Sequence, residues 1–567
     1  MPVSGSGWAF PGVASPRHRF HNPRHAPTPG AQAQGVHGMV DDKAPARARQ
    51  SRRERLAAKG AAASPPAQPH APGFDVPMPR PYIGPTAAAS RPDFAYLDDG
   101  RLETLVERSF ALIEQRGVHV NHPPAARQLA EAGCKVDADG RRVRVPRALA
   151  AEALAATPRT VTLYSKSGRF DLEIPRGDNT FHMRTGTGAH GFIEPAGKYR
   201  KLVLDDVRTI AAIGDGLPEV GFISHPFVND VPERTADIHG LAALLASSEK
   251  HNWMQPYDAA NVGFVMKLAA IAAGGEDRLR ERPIVSCIAC SFTPLEFKEM
   301  DVEAIIQAGR YGVPIHACSL PTAGGTAPVT MPGTVLMAGA EILAMAVLTH
   351  VLSPGTPLIA TPLIFALDMR TGRSLQSSVE ALTGAAMAVQ LCKRGFGLMT
   401  HTYGAGSDTP DVCGQSQAER ALIGFMVGLS GADVLGGVGQ LECATVFSPV
   451  QAIIDNELGA MQRAWLHTPR IDDEALAWDL MLEIGQGGHF LANEHTLKHC
   501  RDVFAPSAFL KLARDPYEDA GRRTEMDNAM AIFDRLMARD APPGLPDADA
   551  VAEMAQVVAA ADRAILD

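Results

Sequence analysis

A regular alternation of short apolar strands and helices fills the chain from about residue 180 onward. Eight segments have the length and composition of buried strands, and a helical segment follows each of them, at spacings of roughly 30–40 residues. In chain order they are NTFHMRT, GFISHPF, HNWMQPY, PIVSCIAC, VPIHACS, TPLIATP, FGLMTHT and ADVLGGVG. Eight such units predict an α/β fold, a closed TIM (β/α)8 barrel, with an open doubly wound sheet as the alternative.

The segments on either side of this repeat predict further parts of the molecule. Apolar residues at helical spacing in RLETLVERSFALIEQ indicate a helix, and Asp139–Gly140 marks the turn of a β-hairpin. The segment VTLYSKSGRFDLEI is typical of a second hairpin. We therefore expect a small α+β cap at residues 76–180, the barrel at 181–515 and C-terminal helices at 516–567.

Residues 1–75 differ in composition from the rest of the chain. They are rich in Pro, Ala, Arg, Gly and His, and the first acidic residue is Asp41. A segment of this kind cannot bury enough apolar surface to offset the entropy lost on ordering. The sequence therefore predicts a disordered basic arm, within which Met39 is an alternative translation start.

Composition excludes several classes of function. A net charge of -9 at pH 7 gives no reason to expect a nucleic-acid partner. Eight scattered cysteines, with no segment resembling a signal-peptide core, indicate a reducing cytoplasm rather than a disulfide framework. The longest apolar stretch, residues 334–352, contains Glu341, and an unpaired carboxylate is costly in lipid. A buried core helix is therefore predicted there, and no membrane contact.

Candidate functional residues lie where the predicted strands end, because this fold builds its sites from the loops that follow the strands. After FGLMTHT, the glycines Gly404 and Gly406 would let the backbone approach a ligand closely. Trp253 and Tyr257 could face a methylated ammonium group or could be ordinary core aromatics. The remaining candidates at strand ends are Gly186, Gly188, His316, Asp368, Arg370, His401, Tyr403, Asp408 and Glu442.

Two short motifs match known binding patterns by letter only. RTGTGAHG, residues 184–191, contains G-x-G-x-x-G, but FIEPAGKY follows it where a dinucleotide site requires a helix. A glycine-rich loop at the barrel mouth is expected instead. Cys287 and Cys290 have the spacing of zinc ligands, but they lie inside a predicted strand and lack a second ligand pair. We therefore expect buried small residues and no zinc.

Longer motifs, in order within residues 95–515, resemble the trimethylamine methyltransferase family of corrinoid-dependent N-methyltransferases. They are GGTAPVTMPGTVLMAGAEILAMAVLTHVLSPGTPLI, DMRTG, FGLMTHTYGAGSDTPDVCGQSQAERAL, GADVLGGVGQLECATVFSPVQAIIDNELGAMQR and IGQGGHFLANEHTLKHCR. The resemblance implies a TIM barrel that moves a methyl group from a methylated amine to the cobalt of a corrinoid carried by a separate protein. Founding members contain pyrrolysine, whereas this sequence has only standard residues. That difference points to the branch resembling glycine betaine methyltransferases, which use quaternary amines such as glycine betaine, proline betaine or carnitine.

The resemblance also implies roles for the candidate residues. The methyl donor is a cation, which ring faces and carboxylates would hold in a dry cavity: Trp253, Tyr257, Tyr403, Asp368 and Glu442. Arg370 or His316 would bind a substrate carboxylate if the ligand is a betaine. His401, the catalytic candidate, would orient the substrate or line the approach of the corrinoid. The corrinoid, a methyl acceptor that is not tightly bound, would lie against Gly186, Gly188, Gly404, Gly406 and Asp408.

Two alternatives keep the barrel and change the function. A metal-assisted lyase or hydrolase would use His225, His316 and Glu442. A protein of the same fold could instead bind a methylated amine without transferring its methyl group. The sequence leaves open whether the chain forms a homo-oligomer.

Overall fold

A computed structural model of the protein describes residues 75–82, 91–92 and 94–567. Contacts between Cα atoms divide the chain after Pro69, so all described residues belong to the second unit, His70–Asp567. The predicted basic arm, apart from Asp75, lies outside the described residues, and so does Met39.

Eight parallel strands, β1 to β8, form a closed barrel in which each strand pairs with its neighbours in chain order and β8 pairs with β1. The strands are His182–Thr185, Val220–Ser224, His251–Met254, Val285–Cys290, Ile315–Ser319, Leu358–Pro362, Met399–Tyr403 and Val434–Val438. Nearly every strand residue is buried, as expected for strands covered on both faces. The predicted strands and the closed barrel are confirmed, and the open sheet is wrong.

One main helix follows each strand, and we number these helices α1 to α8. They are Leu204–Gly216, Ala236–Ser247, Ala259–Ala273, Glu299–Tyr311, Met331–Leu352, Val379–Gln390, Gly414–Ser430 and Pro449–Leu466. A short helix, Glu276–Glu281, follows α3, and a 3₁₀ turn, Glu233–Thr235, precedes α2. A π-helical turn, Leu391–Gly395, extends α6. This alternation completes the repeat that the sequence predicts.

The chain before β1 forms a layer outside the barrel and a hairpin at the amino-terminal end of the barrel strands. Its helices are Asp99–Gln115, Pro123–Glu131 and Arg147–Ala156. Its strands Val118–Val120, Lys135–Val136 and Arg142–Arg144 form a sheet with Glu296–Phe297 from the loop after β4. The hairpin predicted around Asp139–Gly140 is confirmed by antiparallel pairing of Val136 with Val143. The boundaries of the cap, the barrel and the C-terminal helices stay predictions.

Helix α5 is enclosed on both sides. The barrel covers its inner face, and the helices Asp99–Gln115 and Arg147–Ala156 cover its outer face. It is the single helix in the described part of the chain whose length and apolarity would suit a membrane crossing, and 72% of that window is buried inside the protein. The predicted buried core helix is confirmed.

The carboxylate of Glu341 on α5 is satisfied inside the protein. It accepts hydrogen bonds from the hydroxyls of Ser291, Thr293 and Ser319 and from the backbone N–H of Leu295. Ser319 ends β5, and the other donors lie in the loop after β4. This buried carboxylate therefore fixes two exit loops against the helix.

The second predicted hairpin, Val161–Leu163 with Leu172–Ile174, is confirmed and closes the amino-terminal end of the barrel. Leu163 and Ile174 are fully buried in one apolar cluster with interior barrel residues. Nε2 of His182, at the start of β1, donates to the carbonyl of Glu173 at 2.9 Å. A ligand approaching this interior therefore comes from the opposite, carboxyl-terminal end, which we call the mouth.

Two small sheets form over the mouth from the loops that leave the strands. One joins Gln440–Leu441, Val446–Phe447, Gly191–Ile193 and Tyr199–Lys201, and the other joins Thr322–Ala323, Phe365–Leu367 and Ser374–Leu375. The segment after G-x-G-x-x-G is thus a hairpin, Gly191–Ile193 with Tyr199–Lys201, and not the helix that the dinucleotide-binding motif requires.

The remaining helices follow α8. They are Asp473–Leu476, Trp478–Ile484, Glu494–His499, Arg514–Asp519, Glu525–Met537 and Ala548–Leu566. Glu525–Met537 packs on α8 and α1, and Ala548–Leu566 packs on α2 and α3. The two long C-terminal helices thus form part of the outer wall of the barrel.

Candidate active site

Four buried side chains meet inside the barrel, and we call them the inner cluster: Arg184 on β1, Trp253 on β3, His316 on β5 and His401 on β7. The guanidinium carbon of Arg184 lies 4.0 Å from the centroid of the Trp253 ring. The ring centroids of His316 and His401 are 5.2 Å apart. The structure thus brings together three predicted site residues and adds Arg184, which the sequence placed only in its glycine-rich segment.

A run of hydrogen bonds begins at Arg184. Its Nε donates to Nε2 of His401 at 2.8 Å. Because a guanidinium can only donate, Nε2 of neutral His401 accepts and Nδ1 carries the proton. Nδ1 of His401 then donates to Nδ1 of His316 at 3.2 Å, and Nε2 of His316 donates to Oγ of Ser286 at 3.1 Å. The charge on Arg184 therefore determines the tautomers of both imidazoles.

The same run continues to the amino-terminal end of the barrel. The Ser286 hydroxyl is left to donate to Nε2 of His251, 3.0 Å away. Nδ1 of His251 donates to the carbonyl of Tyr164, beside the closing hairpin, at 3.1 Å. Between Arg184 and the carbonyl of Tyr164, each group in the run donates a hydrogen bond to the next group and accepts one from the group before it. Every acceptor therefore has a donor, and no charge beyond that of Arg184 is needed.

Burial determines the charge states of the inner cluster. It lowers the pKa of His316 and the pKa of His401 well below their usual value, and the nearby Arg184 cation lowers both further. Both imidazoles are therefore neutral at physiological pH. Burial also lowers the pKa of Arg184 to about 10, which leaves the guanidinium charged.

Aromatic side chains line the barrel nearer to the mouth. Tyr403 follows His401 by two positions on β7 and so lies one layer above it; its ring centroid is 6.1 Å from that of Phe365. The Tyr257 ring centroid lies 4.8 Å from that of Phe227, and its buried hydroxyl has no hydrogen-bond partner within the described part of the chain. Burial raises the pKa of both phenols, so both are neutral.

Three predicted residues lie on exit loops outside the inner cluster. The carboxylate of Asp368 accepts from the N–H of Arg370 at 2.9 Å and the hydroxyl of Thr371 at 2.6 Å, within its own turn. The Arg370 side chain is 87% exposed. Glu442 lies 4.0 Å from Arg373 and is also partly exposed. The alternation of side chains along a strand could not predict the positions of these three side chains, because the residues follow the barrel strands rather than lie in them.

The predicted glycines are packed against the protein's own side chains. A Cβ at Gly186 would overlap the side chain of Gln440, and one at Gly404 would overlap Leu435. A Cβ at Gly406 would lie 2.6 Å from Nε2 of Gln376. Gly188 has a φ of 85°, which favours glycine. Packing and backbone conformation thus account for these glycines, and contact with a corrinoid stays a prediction.

Asp408 joins two exit loops. Its carboxylate accepts from the backbone N–H groups of Gln376 at 3.0 Å and Ser377 at 2.8 Å. Ser407 and Thr409, on either side of it, hold the next loop through backbone bonds from Cys443 and Glu442. Asp408 therefore has a structural task, and its predicted role beside a corrinoid is untested by these contacts.

The loop that holds Glu442 has an unusual backbone. Glu442, Cys443 and Ala444 have φ values of 50°, 53° and 74°, although none is glycine. Each such residue costs about 1–2 kcal/mol, and the bonds from Glu442 N to Thr409 O and Cys443 N to Ser407 O maintain the conformation. No sequence signal predicted this turn.

The metal-assisted alternative lacks a ligand set in the described residues, which contain no group of three or more His, Cys, Asp or Glu side chains able to hold a metal ion. Nε2 of His225 accepts from the N–H of Gln255 at 3.2 Å, and its Nδ1 donates to the carbonyl of Pro226 at 3.3 Å. His316 is engaged at both ring nitrogens. Cys287 is buried within β4, and Cys290 ends that strand.

Sequence reasoning missed the buried ion pair of Arg420 and Asp455. Nη1 of Arg420 lies 2.7 Å from Oδ2 of Asp455, and both residues are at most 1% exposed. Arg420 also donates to the carbonyls of Ala405 and Gln440, while Asp455 accepts from the N–H of Gly439 at 2.7 Å. The pair thus fixes the loops leaving β7 and β8. The sequence carries no local signal for this pair, because the helices of Arg420 and Asp455 both contain further charged residues.

Buried neutral histidines make the protein sensitive to acid. Burial lowers the pKa of His182 and of His251 to about 3, and that of His225 to about 4, from 6.5. Below about pH 6.5 the unfolded chain binds protons that these folded imidazoles do not, so stability is lost as the pH falls toward 4. Each imidazole contributes up to about 1.4 kcal/mol per pH unit.

The measurement is the urea midpoint of unfolding between about pH 7 and pH 4.5. His182→Gln should make the dependence on pH shallower, while His489→Gln, at an exposed position, should leave it unchanged. Equal slopes for the two variants would contradict the assignment of a titrating role to buried His182.

Comparisons with known proteins give matches to a family model, to curated proteins and to solved structures. The family model described as "Trimethylamine methyltransferase (MTTB)" matches residues 78–564. Trimethylamine methyltransferase MttB of Desulfitobacterium hafniense (strain DSM 10664 / DCB-2) is 27% identical over 455 residues, 80% of this chain and 91% of that protein. Glycine betaine methyltransferase of D. hafniense (strain Y51) is 27% identical over 466 residues, 81% of this chain and 96% of that protein. The crystal structure of Methanosarcina barkeri monomethylamine methyltransferase (MtmB) has a TM-score of 0.48 and 14% identity, covering 80% of this chain and 89% of that chain.

Proposed function

This chain belongs to the trimethylamine methyltransferase family, and from that premise we propose that it moves a methyl group from a quaternary amine to the cobalt of a corrinoid. The corrinoid is the second substrate, carried to the mouth by a separate protein. Methylated amines are the substrates that the names of both curated relatives indicate.

Transfer from a quaternary amine requires positioning rather than proton transfer. The methyl group passes to Co(I) while the electron pair of the broken C–N bond stays on nitrogen. The amine leaves as a neutral tertiary amine, so no acid has to protonate it. Neutral His316 and His401 suit this reaction, because neither adds a positive charge beside the cationic donor.

The ring faces near the mouth are the proposed contacts of the ammonium group. Tyr257 with Phe227 and Tyr403 with Phe365 present aromatic surface at the mouth side of the inner cluster. Trp253 has one ring face against Arg184, so we assign it to holding Arg184 rather than the substrate. Asp368 and Glu442 at the rim would attract a cationic substrate on its approach.

The observation that carries the proposal is the inner cluster itself. Its polar groups and the ring faces above it lie in a barrel closed at the other end by a hairpin, and this fold builds its active sites at the carboxyl ends of its strands. We further propose a cytoplasmic location, because all eight cysteines are free thiols and Co(I) requires reducing conditions.

The test is a panel of methylated amines incubated with free cob(I)alamin, with the cobalt absorption spectrum followed over time and the demethylated amine identified by mass spectrometry. We expect methyl transfer from at least one quaternary amine and release of one equivalent of tertiary amine. Binding of an amine without methylation of cobalt would favour the non-catalytic alternative and overturn the proposal.

A further inference from the structure

Arg184 differs from the other deeply buried arginines in having no acidic partner. Arg420, 1% exposed, pairs with Asp455, and Arg463, 5% exposed, pairs with Glu219. Arg184 is 0% exposed, yet no carboxylate in the described part of the chain forms an ion pair with it. A buried charge normally requires a counter-charge, because desolvation of an ion is costly.

The guanidinium also has an unused donor. Nε donates to His401, and Nη1 donates to the carbonyl of Thr185 at 2.7 Å, but buried Nη2 has no hydrogen-bond partner among the described residues. Trp253 covers one face of the group. The guanidinium packs closely against the backbone of Gly436, because a Cβ there would lie 2.7 Å from Nη2. The group is thus held in place with one donor of the guanidinium unpaired.

We propose that Arg184 binds a carboxylate of the methyl donor, so that the substrate is a zwitterionic betaine rather than a simple quaternary cation. This inference rests on the proposed function and assigns its substrate class. A guanidinium repels a bare ammonium, whereas a carboxylate between the two charges attracts both. We therefore assign the substrate carboxylate to Arg184. Arg370 is exposed, and His316 is hydrogen-bonded at both ring nitrogens.

The experiment compares binding of glycine betaine and choline by isothermal titration calorimetry. The full-length protein should bind glycine betaine at least about tenfold more tightly than choline, because only the betaine carboxylate can form a charged hydrogen bond with Arg184. Arg184→Met should remove this preference, and Arg208→Met, at an exposed position on α1, should retain it. Gly436→Ala should weaken binding of glycine betaine by displacing the guanidinium, with less effect on choline.

Circular dichroism and thermal unfolding establish that each variant is folded, and Gly436→Ala provides the test if Arg184→Met is not. Tighter binding of choline, or an unchanged preference in the folded variants, would overturn the carboxylate subsite. Methyl transfer to cob(I)alamin is measured in parallel. Methyl transfer from choline alone would support the proposed function and contradict the carboxylate subsite. Binding of glycine betaine through Arg184 without methyl transfer would support the subsite and contradict the proposed function. Failure of both amines to bind would contradict the subsite as well.

Discussion

Replacing Asp455 with alanine should lower the free energy of unfolding by about 3–5 kcal/mol. The change leaves the guanidinium of Arg420 charged and buried without its counter-ion, and it removes the acceptor of the Gly439 N–H. The loops leaving β7 and β8 lose their shared anchor at the same time. Chemical denaturation with urea, followed by circular dichroism, measures the effect.

The matched control removes both charges together. Arg420→Met with Asp455→Leu should cost much less than Asp455→Ala, because no unpaired charge is left. Asp205→Ala, in the exposed pair with Arg208, should change stability by at most about 0.5 kcal/mol. Equal losses from Asp455→Ala and the double variant would show that packing, and not charge, dominates at this position.

His401→Ala should reduce methyl transfer by about 100-fold while the chain still folds. The change removes the acceptor of Arg184 Nε and the partner of His316 Nδ1, so the guanidinium is no longer fixed against Trp253. The loss should appear mainly in the KM for a betaine if His401 acts through Arg184, and mainly in kcat if it touches the reacting methyl group.

The control for this variant is His489→Ala, at an exposed position after the barrel. It should have the activity of the unsubstituted protein under the same conditions. Unchanged turnover in folded His401→Ala would remove His401 from the site and would leave the hydrogen-bond run with a purely structural role.

The barrel could be predicted because its strands are buried on both faces. Such strands read as continuous apolar runs, for example in Leu358–Pro362, and helical segments of ordinary length separate them. The cap hairpin around Asp139–Gly140 was equally accessible, because its turn chemistry is local. Both predictions depend on neighbours in the chain.

The site was less accessible because its partners are distant in the chain. Arg184 and Arg370 are the same residue type, and nothing local in the sequence distinguishes them. The register of β1 against its neighbours places the Arg184 side chain inside the barrel. The pairing of Arg420 with Asp455, and the small sheets over the mouth, join loops whose proximity exists only once the barrel has closed. The predicted roles of Gly186, Gly404 and Gly406 illustrate the same limit, since the side chains that pack against them could not be known.

The enclosure of α5 makes the cap and the barrel inseparable in practice. A truncated chain that began near Thr180 would expose the outer face of a helix apolar enough to enter a lipid bilayer. Such a fragment would present that face to other chains or to membranes during synthesis. Any use of this barrel as a scaffold for new loops should therefore keep the helices Asp99–Gln115 and Arg147–Ala156 that cover α5.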